Sequence, residues 1–170
     1  MVCLPTGSQV PVSGATVTVN GESLPELFGN LSFNLLAVAP GQNVTLHFVY
    51  QDIDILKTLV MPNKPDITTL SAAHDATGGI LIEWNLVNPP LDNITVSVSS
   101  SYTKSPNGYT AVLSNTATGH TIPANTLKTS QISIPVIVEA MNQTTNLGSS
   151  VISGSVYQVG NQDEVEIETN

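Results

Sequence analysis

The feature that most constrains this chain is an apolar residue at every second position, in short runs separated by turn-forming residues. The run Gly14-Ala15-Thr16-Val17-Thr18-Val19-Asn20-Gly21 puts Ala15, Val17 and Val19 on one face and closes on an Asn-Gly pair. Alternation of period two gives a strand one buried and one wet face, and Asn-Gly supplies the left-handed backbone of a two-residue hairpin turn. Leu31 to Val38 and Val44 to Tyr50 read as a hairpin around Ala39-Pro40-Gly41-Gln42, and residues 52 to 61 as a further extended run. A single helical turn is expected only over 23 to 28. The chain is therefore read as all-β.

Pro62-Asn63-Lys64-Pro65 interrupts this pattern. Two prolines three apart remove backbone donors and hold the chain extended, so the boundary between two tandem β-sandwich domains is placed here. Residues 1–63 form a small module and 64–159 a larger one. Beyond the boundary, seven runs begin at Ile67, Ile80, Ile94, Tyr109, His120, Ile132 and Ser150, enough strands for a sandwich. Residues 160–170 form an acidic tail carrying four carboxylates, and its alternation leaves open a loose tail or a short paired strand.

Ile80-Leu81-Ile82-Glu83-Trp84-Asn85-Leu86 contains the sole tryptophan. Alternation places Ile80, Ile82, Trp84 and Leu86 together, so Trp84 reads as a core plug rather than a ligand platform. Burying such a ring stabilises a domain by roughly 2–3 kcal/mol.

The second half resembles a fibronectin type III domain. Pro65-Asp66-Ile67 opens it, Gly79 to Trp84 resembles the family's second strand with its core tryptophan, and Val87-Asn88-Pro89-Pro90 resembles the turn that follows. Thr121 to Leu127 resembles the segment before the family's corner, and Val136-Ile137-Val138-Glu139-Ala140-Met141-Asn142 its V-x-V-x-A-x-N strand. The resemblance implies that Ile82, Trp84, Val136, Val138 and Ala140 are core. Ile134 stands where the family usually has its corner tyrosine, and Pro135 beside it suits an edge or a bulge. The first half more faintly resembles small prealbumin-like or bacterial immunoglobulin-like modules, through Val12 to Gly21 and Ala39-Pro40-Gly41.

Charge narrows the partners. Four lysines and no arginine face 13 carboxylates, a formal charge of −9. Nucleic acid is excluded as a partner, because neutralising phosphates takes Lys and Arg. No run reaches the 18 or more apolar residues of a membrane-spanning helix, and no secretion-signal pattern is present. Only 10% of residues are charged, against about a quarter in ordinary domains. That style suits an extracellular, cell-surface or periplasmic protein.

Candidate chemistry is sparse. Asp52 and Asp54 alternate on one run and are the candidate metal or acid–base pair, although calcium takes about six or more oxygens and two such acids more simply make a solvated face. His47, His74 and His120 are scattered without metal-ligand spacing and read as solvated or packed. Cys3 has no partner for a disulfide; a lipid-modified cysteine or a plain thiol are its readings, and Val2 disfavours the former. Sequons begin at Asn30, Asn43, Asn93 and Asn142, a number that chance supplies in a chain rich in Asn, Ser and Thr. No nucleophile, zinc or phosphate-loop motif occurs, so an enzyme is not expected and no cofactor is assigned.

The leading expectation is a non-catalytic module pair that spaces, adheres or assembles on a surface, with a protein or cell-surface polysaccharide as partner and homo-oligomers possible. A carbohydrate-binding accessory module is the alternative, with Tyr102 and Tyr109 as stacking candidates. A filament subunit is another, in which 2–12 or 163–169 adds as a strand to a neighbour.

Overall fold

The computed structural model describes residues 2–3, 9–10, 14–24, 26–27, 30–31, 38–70, 78–128, 133–148 and 156–168. Among these, every regular element is a strand and every registered pairing is antiparallel. The chain divides into two compact units, 1–61 with 143–159 and 62–142 with 160–170. The division at Met61/Pro62 falls beside the sequence-derived boundary. The chain then returns, so that 143–159 groups with the first unit and 160–170 with the second.

In the first unit, β1 (Val2–Cys3) pairs with β2 (Gln9–Val10), so this stretch folds back on itself rather than standing unpaired. β3 (Thr16–Val19), β4 (Glu22–Ser23), β7 (Asn43–Tyr50) and β8 (Ile53–Val60) form one sheet in the order β4-β3-β7-β8, and β5 (Glu26–Leu27) pairs with β6 (Asn30–Leu31). Asn20 and Gly21 both have positive φ, 51° and 83°, the type I′ geometry that the Asn-Gly pair favours. That turn lays β4 against β3, and its ladder takes Ser23 into a strand, while 26–27 lie in β5; a helical turn was expected over 23–28.

β7 pairs with β3 and with β8, through a two-residue turn at Gln51-Asp52 in which Gln51 takes φ 50°. Residues 32–37, on which the expected hairpin with Leu31 to Val38 depends, lie outside the described residues. One face of the sheet carries Val17, Val44, Leu46, Phe48 and Ile55, of which Val17 and Val44 are buried. The opposite face mixes polar pairs, Thr45 bonded to Thr58 and His47 to Asp54, with the exposed apolar side chains of Leu56 and Val60.

In the second unit, β9 (Asp66–Leu70), β10 (Ile80–Asn85) and β13 (Gly119–Ile122) form a three-stranded sheet in the order β13-β10-β9. β11 (Asn93–Val98), β12 (Tyr109–Ser114), β14 (Ser133–Thr144) and β15 (Tyr157–Glu168) form a four-stranded sheet in the order β12-β11-β14-β15. The inward rows of both sheets, Ile80, Ile82 and Trp84 from one and Ile94, Val96, Val98, Ile134, Val136 and Val138 from the other, join in one buried apolar cluster, a sandwich-like arrangement. Ile134 is fully buried.

β14 is an inner strand, so Pro135 does not sit on an edge strand. Its missing donor is tolerated because the β11 ladder ends at Ile137, two residues short of it. The acidic segment is strand rather than loose tail, with Ile167 fully buried and Glu164 and Glu166 exposed.

Candidate functional site

Trp84 decides what the groove beside it in the second unit can do. Its side chain is 2% exposed, and its Nε1–H donates to the Ala117 carbonyl at 2.8 Å. Beside it runs an open groove of about 720 Å³ whose polar lining includes Lys64, Asp66, Thr68, Glu83, Asn85 and Thr118. Trp84 is closed off with its donor already used, so its ring adds little exposed surface to the groove. The groove therefore offers carboxylates, hydroxyls and an amide to water and small polar groups.

Lys64 is the groove's cation, and it is engaged. Its Nζ donates to Asp163 Oδ1 at 2.7 Å, while the Ile67 N–H donates to Asp163 Oδ2 at 3.1 Å. Burial tends to raise the Asp163 pKa, but these donors, with the ammonium charge and the Glu164 amide, hold it below the ordinary carboxylate value. The same bond to Asp163 raises Lys64. Asn161 donates to the Pro62 carbonyl at 3.2 Å, so β15 holds the opening of this unit at two points.

Tyr102 and Tyr109 both pack half-buried against the core cluster. The Tyr102 backbone bonds Ser99 and Lys128, and its neighbour Thr103 is buried and donates to the Ser105 carbonyl. Tyr109 stacks on His120 and bonds its Nε2. No pairing for His120 is legible in the sequence, although its position two before the buried Ile122 in an alternating strand is the signal that it points inward.

Asp52 lies in the Gln51-Asp52 turn and Asp54 on β8, where it bonds His47 Nε2 at 2.8 Å. Among the described residues no three His, Cys, Asp or Glu side chains cluster as a metal site. Cys3 stands opposite Gln9 in the β1–β2 pair. His74 lies outside the described residues. The core residues Ile82, Trp84, Val136, Val138 and Ala140 are all buried. Of the sequons, Asn142 is buried and its Oδ1 accepts the Leu91 N–H at 2.6 Å, which leaves no room for a glycan. Asn43 is exposed.

No protein-family model, curated protein or solved structure matches the chain. Among the described residues no helix is long and apolar enough to cross a membrane.

Proposed function

We propose that the chain is a non-catalytic pair of β-sandwich modules, extracellular or periplasmic, that acts as a spacer within a surface or adhesive protein. The observation that carries this reading is the path of the chain. It passes between the units at 61/62, 142/143 and 159/160, and the last two passages lie inside the unbroken strands β14 and β15. Beads on a string share one linker; here each unit includes a segment that reaches it only through the other. A spacer needs that interdependence, because an element that holds two neighbours apart fails when either half unfolds alone.

The strand order supports a fibronectin type III-like assignment for the second unit. In constant-type immunoglobulin domains the fourth strand lies beside the fifth. Here the fourth, β12, lies beside the third, β11, and the fifth, β13, lies beside the second, β10, as in fibronectin type III domains.

A subunit that assembles by strand addition is the second reading, favoured by the outermost position of the 12-residue β15. Exposed Glu164 and Glu166 oppose it, because charge on an edge strand discourages pairing. Light scattering coupled to size exclusion over about a hundredfold range of concentration separates the two. A constant mass near 17.8 kDa is expected of the spacer. Growth into dimers or polymers would replace it with the subunit.

A further inference from the structure

Tyr109 and His120 meet across the open side of the second unit. Tyr109 begins β12, outermost in the four-stranded sheet, and stands opposite the buried Val98, so its ring points inward. His120 lies on β13, outermost in the three-stranded sheet, opposite the fully buried Ile82, and also points inward. The phenol oxygen and Nε2 are 2.6 Å apart, and the rings stack with centroids 6.0 Å apart and planes at 24°. The two sheets are thus tied at their free rims by one aromatic pair, one partner of which titrates near neutral pH.

The surroundings disfavour a charge there. On β10 the residue facing His120 is Ile82, while Glu83 beside it is exposed on the outer face. On β12 the facing group is Tyr109 itself, followed along the inward row by Ala111 and Leu113. Burial alone holds His120 below the ordinary imidazole value and Tyr109 above the ordinary phenol value.

We propose that Tyr109 and His120 form a proton-operated latch: neutral, the pair closes the rim between β12 and β13; protonated, it releases β12. A neutral imidazole stacks on the phenol and shares one hydrogen bond with it at no cost in charge. An imidazolium at the same place sits against Ile82 and the core, so the proton favours the open rim, where the ring reaches water. The sign follows from linkage. An open His120 binds its proton near the ordinary imidazole value of 6.5 and a closed one only at lower pH. Closure is fully stable above that value and weakens as pH falls from it through the lowered one. Acid would then bare β12, an outermost strand whose Val112 is already 69% exposed, to pairing with another chain.

Hydrogen exchange on the full chain at about pH 7.5 and about pH 5.5, corrected for intrinsic rates, tests the latch. Amides of Tyr109–Ser114 and Gly119–Ile122 are expected to lose protection several-fold in acid, by no more than about tenfold per pH unit, the ceiling for one proton. Those of Ile94–Val98 and Val136–Ala140 are expected to stay steady, and the acid response to vanish in His120→Phe. Equal protection at both pH values, or a response undiminished in His120→Phe, would overturn the proposal. Should that variant fail to fold, Tyr109→Phe and the ring titration of His120 decide. The phenylalanine variant is expected to be less protected already at the higher pH, and a His120 that titrates at or above 6.5 in the native protein contradicts the latch.

Discussion

Trp84 donates its indole N–H to the Ala117 carbonyl at 2.8 Å, while its backbone N–H donates to the Thr118 carbonyl at 3.0 Å. The connection between β12 and β13 is therefore fastened twice to one residue of β10, so the large ring is buried without stranding its polar atom. Trp84→Phe keeps most of the volume and strands the Ala117 carbonyl, and is expected to cost about 1–3 kcal/mol in urea unfolding. Trp84→Ala leaves a cavity as well, at about 3–5 kcal/mol. As the sole tryptophan, Trp84 should emit at short wavelength when folded and shift red on unfolding. A native spectrum like that of the unfolded chain would show the ring to be in water.

The Lys64–Asp163 contact makes a pH prediction. The folded pKa of Asp163 lies below its unfolded value of 3.8, because the Lys64, Ile67 and Glu164 donors outweigh burial. Its stabilisation is therefore complete above the unfolded value and disappears as pH falls through the folded one. Asp163→Asn should flatten the acid limb of stability against pH. It should also cost more at neutral pH than Lys64→Met, because it weakens the Ile67 amide bond as well. Identical acid limbs in wild type and Asp163→Asn would remove this role.

Gly108 is held where only glycine fits. It takes φ +77°, and a Cβ there would lie 2.8 Å from the Val98 carbonyl oxygen and 3.2 Å from the Ser100 nitrogen, both backbone atoms that cannot swing aside. Gly108→Ala should lower stability by about 1–3 kcal/mol and loosen the turn that sets Tyr109. Gly160→Ala meets only the flexible Glu139 side chain, so a smaller loss is expected, read as a smaller fall in the urea midpoint. The reverse ranking would mean that the turn adapts.

The strands with a buried row were legible because burial imposes the alternation itself: Ile80, Ile82 and Trp84 on β10, or Val136, Val138 and Ala140 on β14. Asn20-Gly21 was legible because its residues are needed for that turn. Gln51-Asp52 was not, since nothing in the side chain of Gln51 announces a positive φ. The part of β15 beyond 160 reads as a loose tail or a short strand because its outward row is Glu164 and Glu166, the pattern of a charged edge as much as of a loose end. Relationships across great sequence distance left no local trace. Lys64 meets Asp163 99 positions away, and His120 meets Tyr109 from a different sheet. The grouping of 143–159 with the first unit is likewise tertiary, marked by Tyr157, whose hydroxyl donates to the Val44 carbonyl at 3.0 Å.

That grouping is what the spacer reading stands on, and thermal unfolding of residues 1–63 beside the full chain tests it most directly. The fragment keeps β3, β7 and β8 but lacks 143–159, with the Tyr157 bond to Val44, and about 60 residues without a disulfide make a marginal core. It is expected to melt well below the full chain or to be unfolded at room temperature. An equal melting temperature would contradict the account, because the first unit would then be an independent bead that owes nothing to the strands returning from the second.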